Sequence, residues 1–263
     1  MSPTNDMPKF AAMPTKLPYT LEPGIAAEAA VGLIFVASDG SIEYEWRQMF
    51  QSLPGAAFFT RSIVNDNTIS RESLTKVGRH IGPAVRALRA GEPLDVIAFG
   101  CTSAAMLLGA DAVTREITGV RKDVPCTMPL VAASAGLHAL GKHRIALLTP
   151  YAPDIHALMH RQLENDGFEV LASGSFCNDD DAKVARIDAA SMIEAAERLA
   201  GRADVDALFI SCTTMRVLHL IERLENHLGK PVVTSNQALC WHALRIAGYR
   251  HPITGFGRLP SLV

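Results

Sequence analysis

Asp95-Val-Ile-Ala-Phe-Gly-Cys101-Thr-Ser103 and Asp206-Ala-Leu-Phe-Ile-Ser-Cys212-Thr-Thr214 are two copies of one pattern. Each copy runs from an acid through a short apolar run to a cysteine and two hydroxyl residues. An apolar run of this length fits a strand buried on both faces. An earlier pair of segments keeps nearly the same offset. Val31–Asp39 and Ile145–Tyr151 both read as an apolar strand ending in a polar turn. A helical segment follows each, with Arg47-Gln48-Met49 in one and Arg161-Gln162-Leu163 in the other. Repeats this long are not solenoid units. Duplication of an α/β half, giving two facing domains, accounts for them most simply.

The remaining apolar runs extend the rhythm. Val31–Val36, Val96–Phe99, Ile145–Leu148, Val170–Leu171, Ala207–Ile210 and Val232–Val233 read as strands. Ser73–Arg89, Asp154–Asp166, Ala189–Arg202 and Thr214–Leu228 read as helices between them. Such alternation predicts parallel sheets covered by helices, with right-handed crossovers. The expected fold is α/β, as two pseudo-symmetric domains that each hold a parallel sheet flanked by helices. Residues 1–27, proline-rich and without periodicity, are expected to be a loose N-terminal arm. Residues 28–135 plus 236–263 form the first expected domain and 136–235 the second.

Composition sets outer limits on function. The 263 residues, 48% of them hydrophobic, suffice for a sizeable core. A net charge of −2 leaves no electrostatic footprint for nucleic acid or an anionic membrane. No apolar stretch reaches the length of a transmembrane helix, and the first residues lack a signal-peptide pattern. The five cysteines are widely spaced and contain no CxxC, which argues against a zinc ribbon or a disulfide framework. Reduced thiols and a cytoplasmic location are expected. Cys126, Cys177 and Cys240 read as small buried hydrophobes.

Cys101 and Cys212 read differently. Each is expected at the carboxyl end of a strand, where open α/β sheets bind ligands, and at the start of a helix. A helix N-terminus offers free N–H groups and a partial positive charge. That setting predicts a thiol pKa lowered from about 8.5 towards neutrality and a seat for a carboxylate. Two such thiols facing each other allow two reactions. One thiolate can take a proton beside a carboxylate while the other thiol returns one on the opposite face. Alternatively, one thiolate can add to a conjugated double bond, let the adduct rotate, and leave again. Neither route needs a cofactor or metal, and no P-loop, GxGxxG or HExxH suggests one.

These residues carry a family resemblance. The chain resembles the aspartate/glutamate racemase superfamily, in the branch of maleate cis–trans isomerase, arylmalonate decarboxylase and ectoine-utilisation proteins. Val31-Gly-Leu-Ile34, Phe99-Gly-Cys-Thr-Ser103, Leu148-Thr-Pro-Tyr151 and Ser211-Cys-Thr-Thr214 carry the match. The most specific stretch is Gly229-Lys-Pro-Val-Val-Thr-Ser-Asn-Gln-Ala-Leu239, followed by Trp241 and His242. The resemblance implies an active site in the cleft between the two domains. Cys101 matches the isomerases' nucleophile and Cys212 the cysteine that handles the proton. Tyr151 matches a carboxylate-holding tyrosine, and Thr102, Ser103, Thr213 and Thr214 the carboxylate-binding turns. The implied activity is cofactor-independent isomerisation of a small carboxylate, as in maleate isomerase. Decarboxylases keep only the second cysteine, so decarboxylation becomes a minor alternative, as does a non-catalytic ligand-binding role. A homo-oligomer is left open.

Two positions depart from the isomerase pattern. Asp39 and Asp181 stand where maleate isomerases carry asparagines. A carboxylate there would repel a dianionic substrate. An amino acid, or an acylated one as expected for ectoine utilisation, suits it better, and racemisation is therefore the alternative reading. Asn236 and Gln237 are expected to fix the interdomain crossover rather than to line the cleft, and His242 to be structural. His138, His156, His160 and His219 form no metal spacing together. Asp179-Asp180-Asp181 reads as a solvated loop or the rim of the cleft. Arg61 and Arg258 are weak carboxylate-clamp candidates.

Overall fold

All eight residues of β1 (Ala29–Val36) are buried, so the strand is covered on both faces. β2 (Ala56–Ile63) and β3 (Val96–Gly100) pair with it in parallel, and β4 (Cys126–Thr127) pairs with β3. The order is β2-β1-β3-β4. β5 (Arg144–Thr149), β6 (Glu169–Ser175), β7 (Ala207–Ile210) and β8 (Val232–Thr234) repeat it as β6-β5-β7-β8, again parallel. This computed structural model describes residues 14–263. One strand order written twice, in two separate sheets, is the duplication that the sequence pattern implies.

Helices connect the parallel strands. α1 (Ile42–Phe50) follows β1 and α2 (Arg71–Ala87) follows β2. α3 (Thr102–Leu108) and α4 (Ala110–Thr118) follow β3. In the second half, α6 (Pro153–Asn165), α7 (Asp181–Val184), α8 (Ala189–Ala200) and α9 (Ile221–Leu228) fill the corresponding places. Gly100 lets α1 approach the end of β3. A Cβ there would lie 2.5 Å from the Ile42 side chain. The two remaining helices join the halves. α5 (Pro129–Ala139) packs on α10 (Ser235–Ile246) and reaches β8, while α10 lies on β3 and α1. We propose the division at 135 and 235 for the folded chain, with this helix pair as its joint.

Two sequence expectations change. Thr214–Leu228 is not one helix, because residues 213–217 form an irregular turn before a 3₁₀ turn at Leu218–Leu220 and then α9. The backbone there is claimed by the opposite half: Val217 and Leu218 N–H both donate to Glu45, at 2.8 Å each. Cys212 therefore does not open a helix. Of the expected arm, residues 1–13 lie outside the described residues. Residues 14–28 hold no helix or strand and leave Leu17, Tyr19, Leu21 and Ile25 exposed. Among the described residues, no helix is long and apolar enough to cross a membrane.

Candidate active site

β3 pairs with β1 up to Gly100, and β7 pairs with β5 up to Ile210. Cys101 thus comes directly off one strand end and Cys212 two residues past the other. Both thiols line the same cavity, together with Tyr151 at the end of β5. Thr102, Ser103, Asp181, Thr213 and Thr214 line it too. The enclosed free volume is only about 10 Å³, roughly the room of one water molecule. Among the described residues, no Lys, Arg or His lines the cavity.

Around the first thiol, Cys101 occupies the N-cap position of α3, and its Sγ lies 3.9 Å from Ser103 Oγ. Tyr151 is buried and borders the cavity with both thiols and Thr102. Burial pushes the Cys101 thiol up to about 12 and raises the Cys212 thiol further, with the carboxylates Asp39 and Asp181 adding to both. The lowering expected from helix N-termini is thus overturned. Desolvation in a nearly dry cavity outweighs the few N–H groups that face the sulfurs. Tyr151 is raised for the same reason, burial first and then the neighbouring Cys212.

The two aspartates sit differently. Asp181 lines the cavity at the start of α7, with Ser38 Oγ donating to Oδ2 and Thr214 Oγ1 to Oδ1 at 3.2 Å. Burial raises its pKa. Asp39 stands behind the wall. Its Oδ1 accepts the N–H groups of Ser41 (2.8 Å) and Ile42 (3.0 Å), capping the entry to α1. Its Oδ2 has no hydrogen-bond partner of good geometry. Burial pushes Asp39 up to about 6, against the pull of the Thr213 hydroxyl and the two amides.

The wall has a third side. Asn65, Asp66, Thr68 and Ser73, after β2 and in α2, complete the lining. The segment carrying them meets the loop after β6. Ile69 N–H donates to the Asp179 carbonyl (2.7 Å), Asp181 N–H donates to the Asn67 carbonyl (3.2 Å), and Thr68 bridges Asp180. The acidic run is therefore the rim of the cavity. Sequence reading missed the partner segment because no strand was read at Ala56–Ile63. The Ser70 and Ser73 capping pair before an apolar helix face was the available signal.

The sequence profile of the arylmalonate decarboxylase family matches residues 31–260. The chain belongs to this family. As an arylmalonate decarboxylase family member, it is an enzyme of the branch that holds isomerases, racemases and decarboxylases. It is 28% identical to the arylmalonate decarboxylase of Bordetella bronchiseptica, over 89% of this chain and 97% of that one. It is 29% identical to the maleate isomerase of Nocardia farcinica, over 87% and 94%. A solved cysteine-to-serine variant of the Nocardia farcinica maleate cis–trans isomerase, carrying a covalently bound succinylcysteine intermediate, superposes with a TM-score of 0.79. That match has 27% identity over 89% of this chain and 98% of the other.

The other candidate residues of the sequence fall outside this cavity. Asn236 and Gln237 are buried and do not line the cavity. Gln237 closes a capping box with Thr234 and bonds the Phe256 carbonyl at 2.6 Å. His242 Nδ1 pairs with Thr127 Oγ1 at 2.8 Å. Arg61 is exposed, and Arg258 lies 3.8 Å from Glu225. Among the described residues, no group of three His, Cys, Asp or Glu side chains could hold a metal ion.

Proposed function

We propose that the protein is a cofactor-independent isomerase of a small carboxylate, working with Cys101 and Cys212 in the manner of maleate cis–trans isomerase. The observation that carries this reading is that both thiols and Tyr151 border one buried cavity. The substrate carboxylates sit against Tyr151 and the hydroxyls and amides of the Thr102–Ser103 and Thr213–Thr214 turns. Cys101, which gives up its proton to water while the cleft is open and the desolvation that raises its pKa is relieved, adds to the double bond as the thiolate. The electron pair moves to the neighbouring carbon, and Cys212 delivers a proton there. The new single bond rotates, Cys212 takes the proton back, and the sulfur leaves as the trans double bond forms. The succinylcysteine of the Nocardia farcinica enzyme is the adduct such a sequence passes through.

Asp181 on the cavity wall, Asp39 behind it and the lack of a lining cation among the described residues favour a second reading. Two buried acids repel a dianion and attract an ammonium or an amide N–H. An amino acid or acylated amino acid then loses its α-proton to one thiolate and gains one from the other thiol, which is racemisation. Two assays separate the readings: ultraviolet loss of maleate, and decay of optical rotation from a pure enantiomer. Replacing Cys101 or Cys212 with alanine is expected to lower turnover by at least about a thousandfold, the scale seen when a residue of a catalytic unit is removed, with the fold retained by circular dichroism. Ordinary turnover in either variant sinks both readings.

A further inference from the structure

Ser235 is the first residue of α10 and is completely buried. Capping does not need its hydroxyl, because Thr234 is the N-cap and its side chain accepts from Gln237 N–H. A buried hydroxyl is costly unless it is bonded, so its partners show its use. They are the Thr102 hydroxyl, at 3.1 Å, and the backbone N–H of Cys212, at 3.1 Å. Thr102 follows Cys101 in one half of the molecule, and Cys212 belongs to the other. One oxygen, carried by the helix that joins the halves, thus touches the turn of each thiol. Thr102 in turn lines the cavity that Tyr151 and both cysteines border.

We propose that Ser235 is a positioning residue that fixes the spacing of the two thiol turns by bonding both at its single Oγ. It stands outside the cavity lining and acts only through Thr102 and the Cys212 amide. The inference rests on the two-thiol reading of the site but not on which acid is turned over.

The test needs no substrate. Iodoacetamide alkylation is followed by peptide mass spectrometry at each cysteine. In the wild-type chain Cys101, Cys212 and Cys240 are buried and Cys177 is exposed, so the last is an internal reference. In Ser235→Ala, both Cys101 and Cys212 should react about tenfold faster, the equivalent of one lost buried hydrogen bond. Cys240, in the core of α10, should stay protected and Cys177 unchanged. Thr102→Val should speed Cys212 in the opposite half, while Thr102→Ser, which keeps the hydroxyl, should not. The Thr102 pair carries the test if Ser235→Ala does not fold. Three results would overturn the proposal: a response at Cys212 alone in Ser235→Ala, silence at Cys212 in Thr102→Val, or Cys240 rising in parallel as global loosening. Failure of the reaction itself is seen separately, as full turnover in the cysteine-to-alanine enzymes, and would leave the coupling of the turns standing.

Discussion

Asp39 shows how a single buried acid ties stability to the site. Its folded pKa of about 6 lies above its ordinary 3.8. A raised folded pKa means that its share of stability is complete below the unfolded value and is lost as pH climbs through the folded one. The gap corresponds to about 3 kcal/mol across that window. Asp39→Asn keeps the acceptor for Ser41 and Ile42, removes the buried charge, and turns an amide towards Thr213. The variant is therefore expected to show a shallower fall in melting temperature between pH 4 and 6 than the wild type and to exceed it at pH 7.5. The slope that remains belongs to Glu45, pushed up from 4.5 to about 7 by burial, and to Asp181 and Glu225, which burial also raises. Wild-type slope in Asp39→Asn below pH 6 would refute the assignment. At this scale the sequence was informative where residues form a short pattern, as at Cys101, Cys212, Tyr151 and Asp181. It was silent on Asn65, Thr68 and Ser73, which follow a strand that the pattern hides. It also misjudged the thiols, because a motif displays a turn's dipole but not how dry the cavity around it is.

Elements were legible in proportion to how regularly they are buried. β1, β3, β5 and β7 are continuous apolar runs and read as strands. β2 runs along a sheet edge, and its only half-buried apolar run Ala56–Phe59 gives way to the exposed Arg61 and Ser62 before the buried Ile63, so it stands out less as a strand. α5 is apolar around most of its circumference, as a helix between two halves must be, and shows no amphipathic period. The segment after Cys212 misled for another reason: its backbone is held by α1. Glu45 Oε1 takes Val217 and Leu218 N–H, and Oε2 takes Asn236 Nδ2 at 2.8 Å, while Asn236 also donates to the Thr213 carbonyl at 2.8 Å. Glu45→Ala strands three buried donors, each worth about 1–3 kcal/mol. Relief of the buried charge offsets part of this. A net loss of at least about 2 kcal/mol is expected in urea titration, seen as a lower midpoint with an unchanged slope. A midpoint within error of the wild type would mean that α1 does not clamp the Cys212 turn.

The duplicated halves create a site that is closed at rest. A four-carbon diacid cannot fit about 10 Å³, so the molecule must open for any carboxylate to enter. The covering backbone contact is small: the segment at Asn67–Ile69 joins the segment at Asp179–Asp181 through two backbone hydrogen bonds, which together form the antiparallel bridge of Thr68 with Asp180. Each side follows the edge strand of its own sheet, β2 on one and β6 on the other. Breaking this seam separates the rims without disturbing β1 or β5. Local opening of that kind costs far less than unfolding. The amides of Ile69 and Asp181 are therefore expected to exchange with deuterium at least about a hundredfold faster than those of central β1 and β5. A bound acid that fills the cavity should slow the seam amides and leave the strands unchanged. If the seam exchanges only as fast as β1, opening requires global unfolding, and the cavity is not reached by the route across Thr68 and Asp180.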